Sequence, residues 1–299
     1  MQKQGTLKLL FIINPVSGGR SKQNWEEEIR AYFKNSEHQM EFFLLTGKSD
    51  EVSVAHHIES VNPDRVVAVG GDGTVKLVAE LIQGKNIPLA IIPAGSANGM
   101  AKELEIPIDI DIALDIAING IEKKIDAIRV NNQEICIHLS DIGLNAMLVK
   151  YFEGSKKRGM WGYGKSLFGV LVKKEKMYVT IKTDTDTYKR KAYMVVLANA
   201  RKYGTGGNIN PGGDVADGIF EVVVMRKINL IEIMRGLFTD QTFHPNRIEI
   251  FKTKKVEISA LSKAYFQVDG EYRGKIKEIK AEIVPSLITI MLAPPVENE

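Results

Sequence analysis

Short apolar segments alternate with amphipathic segments in the first part of the chain, and this alternation constrains the fold more than any other feature. Strands are predicted at Leu7–Ile13, Phe42–Leu45, Val66–Val69 and Leu89–Ile92. Helices are predicted between them, from Ser21 to about Lys34, from Ser49 or Asp50 onward, and over Thr74–Ile82. Such alternation is typical of a parallel sheet with helices on both faces.

The pattern changes after about Lys124, where short strands separated by turns replace the helices. The predicted strands are Ile125–Val130, Ile135–Leu139, Met177–Lys182, Ala192–Ala198, Ile219–Met225, Val256–Ser259, Tyr265–Val268 and Ile288–Leu292. This favours a mainly antiparallel β-sandwich. We therefore divide the chain into an α/β domain over residues 1–127 and a β-sandwich domain over residues 128–299. We expect the last residues to pack back on the first domain.

Charge and cysteine content exclude several classes of protein. The chain has 299 residues, a net charge of +3 and one cysteine, Cys136, so an internal disulfide is impossible. No apolar run approaches the roughly 18 residues of a membrane span. A net charge this small does not indicate nucleic-acid binding. We expect a cytoplasmic protein without a nucleic-acid partner.

Three glycine-bearing segments follow three of the predicted strands: Asn14–Gly19, Gly70–Thr74 and Pro93–Asn98. In open parallel sheets, ligands bind beyond the carboxyl ends of the strands. Glycine lets the backbone approach a phosphate, and the N–H groups at the start of the next helix then face the anion. Asp72 has the carboxylate that Mg²⁺ prefers. Alternatively, each segment is only a tight turn, although Gly70–Thr74 has more than a turn needs.

These segments, taken together, resemble the diacylglycerol kinase catalytic family, which includes sphingosine and ceramide kinases. Gly70–Thr74 is similar to the phosphate loop of that family, and Asn14–Gly19 and Pro93–Asn98 are similar to its other nucleotide loops. The resemblance continues in Gly206-Gly207, Pro211, Asp217–Phe220, Val268–Glu271 and Pro285–Pro294. It implies that residues 1–127 bind the nucleotide and that the active site lies in the cleft between the two domains.

The resemblance also implies which residues bind ATP. They are Asn14, Pro15, Val16, Ser17, Gly18, Thr46, Gly70, Gly71, Asp72, Gly73, Thr74, Gly95, Ser96 and Asn98. Two departures from the family pattern stand out. Val75-Lys76-Leu77 replaces the usual x-Asn-Glu, so Lys76 either approaches phosphate or is merely solvated. Asn98–Ala101 lacks the acid common in bacterial diacylglycerol kinases, which leaves the acceptor open between diacylglycerol-like and sphingoid lipids.

The activity implied is transfer of the γ-phosphoryl group of ATP to a lipid hydroxyl, with Mg²⁺ organised by Asp72. Asp269 is preferred as the base, with Glu271 orienting it or exchanging roles with it. Taken alone, Asp269-Gly270 is more typical of an ordinary hairpin turn than of a catalytic motif. A structural Mg²⁺ is implied at Asp217, with backbone oxygens near Asp214 and Ile219. Such an enzyme would serve lipid metabolism, including phospholipid biosynthesis.

Positive charge and aromatic residues are concentrated over residues 150–176, with a helix predicted from about Met160 to Val172. This segment either faces anionic lipid headgroups, giving peripheral membrane association, or covers the sandwich as a surface helix. Two other functions remain open: a kinase of a soluble substrate, similar to NAD kinases, and a non-catalytic protein that binds ATP or lipid. The oligomeric state is open, with a homodimer as one option.

Overall fold

The computed structural model describes residues 5–19, 24–153, 175–203, 207–227 and 246–295. Their backbone forms two compact units. Unit 1 contains the chain up to Ile125 and again from Ser286 onward, and unit 2 contains Asp126–Pro285. The fold class predicted from the sequence is confirmed, because unit 1 is α/β and unit 2 is mainly antiparallel β-structure.

Unit 1 is built on a parallel sheet. Its strands are β1 (Lys8–Ile13), β2 (Gln39–Leu44), β3 (Arg65–Gly70) and β4 (Leu89–Pro93). The order is β2–β1–β3–β4, with every pair parallel. The last strand of the chain, β14 (Glu271–Leu292), adds to the other side of β4 through Ile290 opposite Leu89. Every residue of β3 and β4 is buried, as expected when helices cover both faces of a parallel sheet.

Helices connect these strands. They are α1 (Trp25–Tyr32), α2 (Glu51–Val61), α3 (Asp72–Ile82), α4 (Gly99–Glu103) and α5 (Ile110–Asn119). Asn24 caps α1 by accepting from the Glu27 N–H, whereas the predicted start at Ser21 lies outside the described residues. Buried Arg65 donates to the carbonyl oxygens of Ala117 and Ile118, which satisfies the end of α5.

Unit 2 consists mainly of antiparallel strands. They are β5 (Ile121–Val130), β6 (Glu134–Cys136), β7 (Leu139–Gly143), β8 (Met177–Thr183), β9 (Thr187–Ala192), β10 (Met194–Ala198), β11 (Phe220–Met225), β12 (Ile248–Thr253), β13 (Lys255–Val268) and most of β14. The order is β12–β11–β10–β7–β13–β14, with β8 and β9 added on β13 and with β6 on β5. Helix α6 (Leu144–Glu153) follows β7.

The core of unit 2 lies between these strands. Ile142, Leu197, Phe220 and Val268 are completely buried in one cluster, and α6 covers the opposite side of β7, β10 and β11. Two strands predicted separately, at 256–259 and 265–268, are one strand, β13. A register shift between Ser259 and Ala264 accommodates the irregular residues between them.

Candidate active site

The three glycine loops of unit 1 lie together at the carboxyl ends of β1, β3 and β4. Gly71 and Gly95 are in backbone contact, because a Cβ built on Gly95 would overlap the Cα of Gly71. A Cβ on Gly18, whose φ is +65°, would come within 2.6 Å of the Ala94 carbonyl oxygen. No side chain larger than hydrogen fits at these contacts. The sequence pattern thus reflects close approach of the loops as well as turning of the chain.

Side-chain hydrogen bonds hold two of these loops in shape. The Asn98 amide closes the third loop on itself: its Oδ1 accepts from the Gly95 N–H at 2.8 Å, and its Nδ2 donates to the Gly95 oxygen at 2.9 Å. Asp72 Oδ1 accepts from the Met100 N–H at 3.0 Å, which links the second loop to the start of α4. The loops are therefore formed before any ligand arrives.

The second loop leads directly into α3 and carries an unsatisfied buried hydroxyl. Gly71 precedes the first residue of α3, so the free N–H groups of that helix start within the loop. Thr74 is 4% exposed, and its Oγ1 has no hydrogen-bond partner. A side chain on Gly70 would collide with that hydroxyl. A buried donor of this kind is suited to an anion or a hydrated cation.

The remaining ATP-contact candidates lie at the ends of β1 and β2. Asn14 Oδ1 accepts from the Val16 N–H at 3.2 Å and shapes the first loop, where Ser17 is buried. Thr46 follows β2, and its hydroxyl donates to Asp50 Oδ1 at 2.7 Å. Pro15 and Ser96 lie within the loops, and Gly73 is the second residue of α3.

Lys76 is buried, so the interpretation of this lysine as a solvated side chain is wrong. Only 2% of the residue is exposed, and its Nζ lies 3.9 Å from Glu80 Oε1 one helical turn further along α3. A buried ammonium needs nearby oxygen partners, because desolvation is costly for a charge.

In unit 2, Asp269 and Gly270 form the two-residue turn between β13 and β14. Their φ angles are +49° and +84°, and Val268 pairs with Glu271 across the turn. Positive φ at both central residues is the geometry that Asp-Gly favours. The hairpin interpretation is thus correct for the backbone, and it leaves the role of the carboxylate to be judged from its contacts.

Asp269 is 7% exposed, and its carboxylate points back into unit 2. Its Oδ1 accepts from the His138 N–H at 2.9 Å and lies 3.2 Å from Cys136 Sγ, and its Oδ2 accepts from the Ile137 N–H at 3.1 Å. These bonds fix the carboxylate in place. Glu271 is different, since its partly exposed carboxylate pairs with Arg273 at 2.6 Å. Asp269 is therefore the more rigidly held of the two candidate bases.

The predicted metal loop folds around its own carboxylates. Asp214 Oδ1 accepts from the Ala216 N–H at 3.0 Å, and Asp217 Oδ1 accepts from the Ile219 N–H at 3.2 Å. Asp126, which sequence reasoning missed, also contacts this loop: its Oδ2 accepts from the Gly218 N–H at 2.7 Å. Among the described residues, no group of three or more His, Cys, Asp or Glu side chains is placed to hold a metal ion.

Other buried polar residues near Asp269 were also missed. Asn199 donates to the carbonyl oxygens of Asp126 and Ile137, and its Oδ1 has no hydrogen-bond partner. The Nε2 of His138 likewise has none. The only local signal was a polar residue inside an apolar strand, as at Asp126 between Ile125 and Ala127.

A basic surface lies at the ends of several strands of unit 2. Six cationic residues line a shallow depression of about 320 Å³: Lys176, Lys189, Arg190, Lys191, Arg226 and Lys227. Glu249 partly neutralises it by pairing with Arg190 and Arg226. Lys191 lies 4.8 Å from the ring centre of exposed Tyr178. The helix predicted over 160–172 lies outside the described residues. No helix in the described ranges is long and apolar enough to cross a membrane.

Comparisons with known proteins place this chain among lipid kinases. The model of the diacylglycerol kinase catalytic domain matches residues 8–130, and the model of the YegS C-terminal NAD kinase beta sandwich-like domain matches residues 141–292. The diacylglycerol kinase of Staphylococcus aureus (strain bovine RF122 / ET3-1) is 28% identical over 278 residues, which cover 89% of this chain and 86% of that protein. A diacylglycerol kinase of Staphylococcus saprophyticus is 27% identical, with 89% of each chain covered.

Solved structures support the fold. A putative diacylglycerol kinase from Bacillus anthracis has a TM-score of 0.76 at 22% identity, covering 98% of this chain and 99% of that one. The catalytic and C-terminal domain matches define a two-domain kinase enzyme. The chain belongs to the diacylglycerol kinase catalytic-domain family, with a C-terminal domain of the YegS type. The family resemblance seen in the sequence is thereby confirmed.

Proposed function

We propose that this chain transfers the γ-phosphoryl group of ATP to the hydroxyl of a lipid, either diacylglycerol-like or sphingoid. The observation that carries the proposal is the backbone contact between the second and third glycine loops at Gly71 and Gly95. It gathers the N–H groups of two loops and a helix start around one place, which suits a polyphosphate.

Unit 1 would bind the nucleotide. The loops beginning at Asn14, Gly70 and Pro93 would donate backbone N–H groups to the phosphate oxygens, and the buried Thr74 hydroxyl would donate one more hydrogen bond. Positioning and charge neutralisation supply most of the catalysis in phosphoryl transfer. Preformed loops are therefore expected to contribute to the rate as well as to binding.

Unit 2 would supply the base. Asp269 would accept the proton of the lipid hydroxyl as its oxygen attacks the γ-phosphorus and the bond to the leaving ADP oxygen breaks. The carboxylate has about four acceptor positions, and the His138 N–H, the Ile137 N–H and the Cys136 thiol occupy three. One position remains for a substrate hydroxyl. The partly exposed Glu271 is held by Arg273 and is the alternative base.

The residues present fit Mg²⁺ through oxygen donors. Asp72 offers the carboxylate oxygen that does not accept from Met100, and the Thr74 hydroxyl is unsatisfied. In unit 2, Asp217 and Asp126 both contact the loop over residues 214–219. Backbone oxygens and water would complete either set. When bound, Mg²⁺ neutralises phosphate charge.

The test is phosphoryl transfer from labelled ATP to lipids in mixed micelles, with diacylglycerol, monoacylglycerol, sphingosine, ceramide and phosphatidylglycerol as acceptors and NAD as the soluble control. Label on a lipid supports the proposal. Label on NAD alone would favour the soluble-substrate kinase. No label on any acceptor, from protein that binds ATP, would favour the non-catalytic alternative.

Asp269→Asn is the appropriate variant for the base. Asn tolerates positive φ, so the backbone of the turn is kept while the basic oxygen is lost, whereas Ala at φ +49° would strain it. The new NH₂ group replaces one of the two oxygens that accept from the Ile137 and His138 N–H groups, so the thermal midpoint of the variant is measured as well. We expect a loss of about 100-fold or more in kcat with ATP affinity retained. Glu271→Gln is the matched comparison. If Glu271→Gln abolishes turnover and Asp269→Asn does not, the roles are reversed.

We also propose that the basic surface contacts anionic membrane headgroups. Lysine and arginine beside exposed tyrosine are suited to a lipid interface. The double variant Lys189→Glu/Lys191→Glu should reduce co-sedimentation with vesicles containing phosphatidylglycerol but not with neutral phosphatidylcholine vesicles. Lys263→Glu/Lys277→Glu, at exposed positions outside this surface, is the control with equal charge change. Equal loss in both variants would show only a net-charge effect.

A further inference from the structure

A buried hydrogen-bond chain connects Asp141, on β7, to the turn that carries Asp269. Gln267 Nε2 donates to Asp141 Oδ2 at 2.5 Å, and Gln267 Oε1 accepts from the Gly270 N–H at 2.7 Å. Asp141 and Gln267 are opposite each other in the β7–β13 pairing. Because Gly270 N–H can only donate, Gln267 must turn its oxygen to the turn and its NH₂ group to Asp141.

The chain is shielded from water and doubly anchored. Asp141 and Ser140 are completely buried, and Gln267 is 1% exposed. The Ser140 hydroxyl donates to the backbone carbonyl oxygen of Gln267 at 2.7 Å. A buried polar network of this kind fixes the geometry of its members, because breaking one bond leaves an unsatisfied group. The Asp141 carboxylate also accepts from the Ala146 N–H and the Asn145 amide at the start of α6, so it joins that helix start to the turn.

The network also selects the ionised form of Asp141. Asn145 Nδ2 and Gln267 Nε2 both donate to its Oδ2, and the Ala146 N–H donates to its Oδ1. Burial raises the pKa of this carboxyl to about 6, although these three hydrogen bonds lower it. The groups that face it from β10, β13 and α6 are the neutral Val196, Gln267 and Asn145. A proton on Asp141 would remove the negative charge that strengthens these three hydrogen bonds.

We propose that Asp141 is a positioning residue, which through Gln267 holds the Asp269-Gly270 turn and the candidate base in the geometry needed for phosphoryl transfer. This inference rests on the proposed function, since it assigns Asp141 a part in the same reaction. In this role Asp141 would act on the backbone N–H of Gly270 through the amide of Gln267, without touching the substrate, while its other two hydrogen bonds hold the start of α6. Loss of that bond would free a turn that carries the base.

The kinetic test compares Asp141→Asn with Val196→Ala. Both change a completely buried residue, but Val196, which pairs with Asp141 from β10, makes no side-chain hydrogen bond. Asp141→Asn should lower kcat by about 10- to 100-fold with the KM for ATP unchanged, because a small displacement of a catalytic group has an effect of that size. Val196→Ala should keep kcat. Full kcat in Asp141→Asn, or an equal loss in Val196→Ala, would overturn the proposal.

Exchanging the carboxylate and the amide between positions 141 and 267 should restore part of the lost kcat. In Asp141→Asn/Gln267→Glu, the Asn amide can donate to the new carboxylate, which still accepts from the Gly270 N–H. Asn145, which donates to the same oxygen of Asp141 in the wild type, has to turn its own amide oxygen towards the new NH₂ group. We expect the double variant to recover kcat relative to Gln267→Glu alone and to Asp141→Asn alone. Failure to exceed both single variants would contradict a role that depends on this link.

A measurement without turnover separates this inference from the proposed function. The backbone amide of Gly270 should shift in ¹⁵N-resolved NMR as the pH is lowered through about 6, the pKa of Asp141. The shift should be absent in Asp141→Asn. If the chemical shift of the Gly270 amide does not change with pH in the wild type, the proposed link from Asp141 to Gly270 is wrong, whatever the kinase assay shows. Failure of every lipid acceptor, with the titration present, would count against the proposed function instead.

Discussion

Replacing Gly95 by alanine tests the idea that close contact between the glycine loops forms the nucleotide site. The new Cβ would overlap the Gly71 Cα and come within 2.8 Å of Asn98 Oδ1, which closes the third loop. Relieving the overlap requires the two loops to separate by about 1 Å, and a misplacement of that size costs on the order of 100-fold in rate. Most of the core of unit 1 does not contact this position, so the fold should persist.

The assay is kcat/KM for ATP together with the affinity for a non-hydrolysable ATP analogue, measured by calorimetry, and the thermal midpoint. Gly71→Ala provides a graded comparison, because its Cβ would lie 3.1 Å from Gly95 Cα and should cost less. Gly5→Ala is the control, since nothing lies within 4 Å of its Cβ. Unchanged ATP affinity and kcat/KM in Gly95→Ala would refute the reasoning. So would a greater loss in Gly71→Ala.

Three further predictions concern buried charge. Burial raises the pKa of Asp141 from 3.8 to about 6, so the folded state binds the extra proton, and its stability should fall by about 3 kcal/mol as the pH rises from about 4 to 6. Urea unfolding at each pH should show this fall in the wild type relative to Asp141→Asn, and parallel curves would contradict it. Arg65→Met should lower the free energy of unfolding by about 2 kcal/mol, because two carbonyl oxygens at the end of α5 lose a charged donor; a midpoint within error of wild type would exclude that role. Asp126→Asn should reduce the rise in thermal midpoint that Mg²⁺ produces, and an unchanged rise would remove Asp126 from the candidate metal site.

Local sequence predicted the architecture of unit 1 well, because β3 and β4 are apolar runs that end at Gly70 and Pro93. It failed at α5, where Ile110, Ile112, Leu114 and Ile116 alternate with other residues as they would in a strand. It also missed β12, an edge strand whose apolar residues are mixed with charged ones. Periodicity is weak evidence where tertiary packing decides the element.

Part of the candidate site could likewise be predicted from the sequence, and part could not. The glycine loops were predictable, because each needs residues with special backbone freedom that are adjacent in sequence. The environment of Asp269 was not, because its partner His138 is 131 positions away, and Asp126 is 92 positions from Gly218. Such pairs are set by strand register. Without the register, an aspartate in a strand cannot be distinguished from one that is merely tolerated there.

The return of the chain to unit 1 has a consequence for how the protein is made. Residues from Ser286 onward follow all of unit 2 in sequence, yet Ile290 pairs with Leu89 beside β4, and the Leu287 oxygen accepts from the Gly84 N–H at 3.3 Å. During synthesis, the part of unit 1 that precedes Asp126 lacks this strand until all of unit 2 has been translated. Until then, the side of β4 is an open edge that other strands can join. Nascent chains should therefore be more prone than the folded protein to associate through this edge.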